Sequence, residues 1–426
     1  MLGYPVIRLS VTVGYPDTRL SGFPSPGFPD LRIPDLIMFS NRTNWPLSSN
    51  RIAGALDQLK KANVPIIDLT ESNPTCCGFA YPSERILRPL ASDKNLRYDP
   101  QPQGSLEARA AVASYYKSQG HDVSVERIFL TASTSEAYSY LFRLLVDAGQ
   151  EVLFPRPSYP LFQFLGDLND VMLNFYPLVY TNHWAIDCSQ LEASIQPGTK
   201  AIVLVNPNNP TGSFIKKDEL SALNRICRTK NIPIISDEVF ADFGFPGVKD
   251  TVSLVNNDAV LTFALGGVSK TLALPQMKLS WIIVSGPEEL AREACQRLEM
   301  IADTYLSVNT PVQNAVAGWL SSKEEFQESV KQRTLDNLRF LEQAVKTTKC
   351  QLLKPEGGWY AVIRIPLHKI SEEEFILQLL EEKHVFVHPG YFFDFEEEDF
   401  LVVSLLSAVD DFREGIKRLA QKLALL

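Results

Sequence analysis

The sequence predicts an α/β protein with a large domain, built on a mostly parallel central sheet sandwiched by helices, plus a smaller α+β domain. Three observations carry that prediction. A chain of 426 residues exceeds the roughly 250–300 at which one hydrophobic core stops growing. From about residue 100 onward, short β-branched runs alternate with helical patterns, and strands that are apolar along their whole length require a sheet covered on both faces. Apolar residues make up 45% and charged residues 21%, which is enough to fill a core and excludes a disordered or collagen-like chain.

Taken in order, residues 1–37 hold six prolines, Pro5, Pro16, Pro24, Pro26, Pro29 and Pro34, with no sustained period, and read as a disordered or arm-like extension. Met38 is a candidate start of the protein proper. Residues 38–85 are expected to contribute to the small domain; Ile52, Leu56 and Leu59 lie at helical spacing there. Residues 86–310 read as the large domain. In it RIFLT precedes the helical SEAYSYLFRLLV, EVLFP precedes a tyrosine-rich segment, AIVLVNP precedes KKDELSALNRICRTK, and IPIISDE precedes a loop. AVLTFAL and LSWIIVSG follow, then the helix-like PEELAREACQRLEM. Residues 311–426 read as the small domain, with strands at WYAVIRI and FLVVSLL and a closing amphipathic helix carrying Phe412, Ile416, Leu419 and Leu423.

Composition narrows the function. Forty-one basic against fifty acidic side chains give a formal charge of −9, without the basic stripe that a phosphate backbone requires, so nucleic acid is not an expected partner. The six cysteines form no CxxC pair and the five histidines never fall at ligand spacing, which argues against structural zinc and against a disulfide scaffold. Reduced thiols fit a cytoplasmic protein. No apolar run approaches the roughly 18 residues of a spanning helix, and Pro5 and Pro16 interrupt any signal-peptide core. Neither export nor membrane association is expected.

Four segments are candidates for chemistry. LVNPNNPTGSF ends a strand in two Asn-Pro units and a Thr-Gly turn, and so sets amides at the carboxyl edge of the sheet, where open α/β sheets bind ligands. Asp237 and Glu238 follow the next apolar strand; a carboxylate there caps a helix or, if it enters a cleft, holds a cationic ring nitrogen. GVSKT resembles the end of a P-loop but has Ser269 where glycine must precede the lysine, so a nucleotide site is rejected. Lys270, set between two apolar strands, is expected to lose proton affinity by desolvation and become a usable nucleophile. TASTSEA joins a strand to a helix, and its backbone N–H groups form a phosphate seat, although serine and threonine are also the commonest helix caps.

The order of these segments, with PRPSYP between the phosphate seat and NPNNPTG, resembles the class I/II aminotransferase family, the fold-type I enzymes that use pyridoxal 5′-phosphate, from about Asn41 to the C-terminus. The resemblance implies that Lys270 forms the internal aldimine, that Asp237 pairs with the pyridine nitrogen, that Asn209 bonds the ring hydroxyl and that Tyr159 stacks on the ring. Ser133, Thr134 and Ser135 match the family's phosphate turn. Tyr98 matches the residue that reaches the phosphate of the neighbouring subunit, which implies a homodimer with shared active sites. Arg156 and Asn73 are candidate substrate contacts. Three positions depart from the pattern: Phe240 replaces a tyrosine, Lys278 an arginine of the phosphate clamp, and Val402 the arginine that holds the substrate carboxylate. Transamination between an amino acid or amine and a keto acid is the leading expectation. A lyase (β-elimination, carbon–sulfur lysis) or decarboxylase on the same fold is the alternative. A non-enzymatic cofactor-sensing domain fits less well, because residues 1–37 are too short and proline-rich to be a DNA-binding domain.

Overall fold

The computed structural model describes residues 38–367, 370–397 and 399–424; the proline-rich extension 1–37 lies outside them. The chain divides into two units, Met1–Pro65 and Ile66–Leu426. In the first, the helix Arg51–Lys61 forms where Ile52, Leu56 and Leu59 are spaced for it, and the Asn50 side chain caps it by accepting from the Ala53 N–H at 2.7 Å.

The second unit is built on an eight-stranded sheet. Its spatial order is Ile128–Thr131, Ser280–Ser285, Thr262–Gly267, Ile234–Asp237, Thr199–Val205, Glu151–Arg156, Met172–Tyr180 and Trp184–Ile186. The five strands from Thr262–Gly267 to Met172–Tyr180 run parallel, and Ser280–Ser285 and Trp184–Ile186 run antiparallel to their neighbours. The strands Ile128–Thr131, Ser280–Ser285, Thr262–Gly267 and Ile234–Asp237 are buried at every position. Two apolar clusters on this sheet show why. Phe129, Phe154, Val203, Ile235 and Phe263 pack with the helices Thr134–Leu145 and Glu288–Tyr305, while Ile128, Leu130, Ala264 and Trp281 pack with Leu106–Ser118 and Thr310–Leu320. The nine-residue strand Met172–Tyr180 was not visible in the sequence, because Asn174 and Pro177 interrupt its apolar alternation.

A second, antiparallel sheet has the order Gln351–Leu353, Tyr360–Arg364, Phe400–Ser404 and His388–Pro389. The helices Lys323–Val345 and Val409–Leu423 pack on each other beside it. The short strand Ile67–Asp68 pairs in parallel with Val385–Phe386, so the segment from Ile66 joins the C-terminal part of the chain. No helix among the described residues is long and apolar enough to cross a membrane.

Candidate active site

The site gathers at the carboxyl ends of the parallel strands. Strand Ile234–Asp237 ends at Asp237, which is buried. Its Oδ1 accepts from the Val239 N–H at 3.3 Å and its Oδ2 from the Tyr138 hydroxyl at 3.1 Å. Burial raises this carboxyl to about 6, against those two hydrogen bonds and the charge of Lys270. Glu238, the next residue, points elsewhere: Ser236, Ser253 and the Leu254 N–H all donate to it, so it ties down the chain near Leu254.

Strand Thr262–Gly267 delivers Lys270 on the short helix Val268–Thr271. Gly266 and Gly267 are required there, since a Cβ would collide with the Trp281 indole or the Ser280 hydroxyl. Lys270 Nζ lies 4.9 Å from the Trp359 ring and 5.3 Å from the Phe240 ring. Burial pushes its ammonium down to about 8, with the Asp237 charge acting the other way. The desolvated lysine expected from the sequence is therefore present, next to a carboxylate. Trp359 is fully buried and packs edge-on against Phe240 and Phe243; its Nε1 has no partner among the described residues.

The turn after strand Thr199–Val205 contains three asparagines, and hydrogen bonding separates them. Asn206 donates to the Val252 carbonyl and accepts from the Ile215 N–H, and Asn208 accepts from the Thr211 N–H and hydroxyl and donates to the Pro157 carbonyl. Both are spent on the turn. Asn209 is also buried, yet its Oδ1 has no partner. An unsatisfied buried amide is costly, and a ligand at that point removes the cost. Gly212 closes the turn at a φ of +72°, where a Cβ would meet the Gly357 carbonyl.

Ser133 caps the helix Thr134–Leu145, its hydroxyl accepting from the Glu136 N–H at 3.2 Å. The cap and the phosphate seat coincide: with Glu136 satisfied, the N–H groups of Thr134 and Ser135 open the helix without intrahelical acceptors, at the positive end of its dipole. Tyr159 is 38% exposed and stands edge-on to Phe162 at 5.9 Å. The preceding Ser158 N–H donates to the Phe393 carbonyl. Lys278 adopts a left-handed backbone and is exposed. Tyr98 is 76% exposed.

The candidate substrate contacts are engaged elsewhere. Arg156 pairs with Glu396 at 3.5 Å and lies 4.1 Å over the Phe175 ring. Asn73 caps the turn Pro74–Cys76, accepting from the Thr75 N–H and hydroxyl and donating to Cys76 Sγ. Val402 is fully buried in the antiparallel sheet between Val362 and His388. Burial holds the His388 imidazole below its ordinary value, with the Asp68 charge acting the other way. Sequence reasoning missed Tyr138 and Trp359, since an aromatic residue in an apolar helix or strand reads as core.

A half-buried lysine beside a carboxylate, an unsatisfied asparagine and a helix N-terminus, all at the carboxyl edge of this sheet, define a fold-type I aminotransferase. The comparisons agree. Residues 63–423 match the family described as aminotransferase class I and II, and the chain belongs to that family. It is 28% identical to a glutamate-pyruvate aminotransferase, AlaA, of Haemophilus influenzae, over 86% of this chain and 93% of that protein. It is 26% identical to the tyrosine aminotransferase of Mus musculus, over 81% and 79%. A crystal structure of an aminotransferase from Escherichia coli superposes with a TM-score of 0.78 at 26% identity, over 88% of this chain and 95% of that one. The protein is an aminotransferase.

Proposed function

We propose that this chain moves an amino group between an amino acid or amine and a keto acid, using pyridoxal 5′-phosphate held by the residues above, as a cytoplasmic homodimer with shared sites. The observation that carries the reading is the set of groups left unspent at one sheet edge: Asn209 unsatisfied, Asp237 with acceptor capacity remaining, and Lys270 low in proton affinity. These fit the cofactor group by group. Asn209 would hold the ring hydroxyl, Asp237 the ring nitrogen, Tyr159 the ring face, and the N–H groups at Ser133–Ser135 the phosphate. The cofactor supplies an electron sink for the pair left on the substrate's α carbon.

The chain supplies the rest. Lys270 is a nucleophile because its neutral form is well populated near pH 8. With the cofactor bound, Lys270 Nζ would take the proton from the substrate's α carbon and return it at the other carbon of the C–N–C unit, two atoms away. Phe240 and Trp359 exclude water around that amine. The relatives reported above are aminotransferases, and no observation here favours a lyase or decarboxylase. The exposed Tyr98 supports a dimer in which it serves the neighbouring site, and six free cysteines, two of them buried, suit a reducing compartment.

The test is a half-reaction screen, following the absorbance of the lysine-bound cofactor across a panel of amines and amino acids. Conversion to the amino form without release of ammonia is expected. Ammonia release with formation of a keto product from every reactive amino acid would establish a lyase instead. Lys270→Ala should bind cofactor and lose turnover by many orders of magnitude. Borohydride reduction followed by peptide mapping that labels another lysine would overturn the assignment.

A further inference from the structure

The helix Thr134–Leu145 does more than seat a phosphate. One turn after Thr134, on the same face, Tyr138 is 2% exposed and donates its hydroxyl to Asp237 Oδ2. Its ring is fixed edge-on to Phe162 at 5.2 Å and tilted against Phe142 at 5.9 Å. Phe162 in turn stands edge-on to Tyr159. Two groups that would meet the cofactor ring, Asp237 and Tyr159, therefore both bear on this aromatic pair.

Buried tyrosine hydroxyls need a partner, and a backbone carbonyl is enough. Tyr176 follows that rule, donating to the Val203 carbonyl at 2.8 Å. Tyr138 donates to a carboxylate instead. Donation to the charged form favours it, here against the burial that raises Asp237. A carboxylate offers about four acceptor positions. Tyr138 and the Val239 N–H occupy two, and about two remain, enough to accept a cationic N–H.

We infer that Tyr138 is a positioning residue of the cofactor site: it fixes the Asp237 carboxylate in orientation and charge toward a cationic ring nitrogen, and it ties that carboxylate to the phosphate seat through one rigid helix. The inference rests on the cofactor chemistry proposed above. Because Tyr138 acts on Asp237 and not on the substrate, its loss affects kcat far more than KM.

The experiment uses the holoenzyme reconstituted with pyridoxal 5′-phosphate labelled with nitrogen-15 in the ring, read by solid-state NMR in wild type, Tyr138→Phe and Tyr176→Phe. Tyr138→Phe keeps the ring between Phe142 and Phe162 and removes only the hydroxyl. In wild type the ring nitrogen should show a pyridinium shift. In Tyr138→Phe the shift should move toward neutral pyridine, with kcat lowered about tenfold to a hundredfold, the range for a hydrogen bond to a charged group, and KM within about twofold. Tyr176→Phe should match wild type. A pyridinium nitrogen in wild type and an indistinguishable Tyr138→Phe enzyme would overturn the role of Tyr138, as would an equal effect of Tyr176→Phe. A wild-type protein that binds no cofactor would overturn the proposed function itself.

Discussion

At the scale of single residues, the site depends on what surrounds each group. Phe240 illustrates this, since it is buried 5.3 Å from Lys270 Nζ and offers no hydroxyl. A hydroxyl bonded to the cofactor's ring oxygen would favour the form of the neighbouring nitrogen that carries no proton. Phe240→Tyr should therefore lower the pH midpoint of the bound cofactor's absorbance change, and wild type should keep the protonated, longer-wavelength form to higher pH. Coincident midpoints in a spectral titration of the two proteins would dispose of the effect. Val402 poses the larger question, because a fully buried valine carries no charge or donor with which to grip a carboxylate. A bidentate ion pair is typically worth a few kcal/mol, about a hundredfold in binding. Arg156 would have to exchange Glu396 for a substrate carboxylate. If it does, Arg156→Ala should raise KM strongly for amino acids and leave matched amines and the cofactor absorbance unchanged. Rapid half-reactions of ordinary amino acids, unaffected by Arg156→Ala and not improved by Val402→Arg, would show that the carboxylate is held elsewhere.

At the scale of elements, the order of the site was legible in the sequence and its support was not. NPNNPTG, SDEVF and the lysine after GGVS could be read because turn chemistry and strand ends are local. Tyr138 could not, since its partner Asp237 lies 99 residues away and nothing local separates it from core aromatics such as Tyr140. Glu372 was equally hidden, in a run of glutamates opening the helix Glu372–Lys383. It is 1% exposed and accepts from the N–H groups of Tyr391, Asp399 and Phe400. It thereby clasps both ends of the loop that leads into strand Phe400–Ser404 and carries Phe393, whose carbonyl holds Ser158 beside Tyr159. Burial raises its carboxyl to about 7 despite those donors. A carboxyl raised on folding binds its proton more tightly in the native state. Its stabilisation is therefore complete below the unfolded value near 4.3 and is lost as the pH rises through about 7. The change is on the order of a few kcal/mol. Glu372→Gln keeps an oxygen acceptor and cannot titrate, so the decline in Tm of wild type from pH 5 to 8 should flatten in the variant. Parallel Tm profiles over that range would show that Glu372 is not the linked group.

At the scale of the whole molecule, the phosphate seat is incomplete within one chain if Tyr98 acts across an interface. Tyr98 lies on the surface with 76% of its area exposed, in a hollow shared with Tyr140, Leu306 and Ser307. An aromatic residue so exposed contributes little to its own subunit and is suited to reach a neighbour. In a dimer with shared sites, each site takes Lys270 from one subunit and Tyr98 from the other. This arrangement makes a prediction that no single variant can test. Tyr98→Phe alone should weaken cofactor retention about tenfold, the lower end for a hydrogen bond to a charged phosphate, and Lys270→Ala alone should be inactive. When the two proteins are unfolded, mixed and refolded, the hybrid dimers should contain one site with both defects and one with neither. At limiting cofactor, activity per lysine-bearing site in the mixture should then exceed that of Tyr98→Phe, and the recovered sites should hold the cofactor as tightly as wild type. If Tyr98 instead serves its own subunit, every lysine-bearing site in the hybrid also carries the phenylalanine. The lysine-bearing sites of the mixture would then hold cofactor only as weakly as those of Tyr98→Phe.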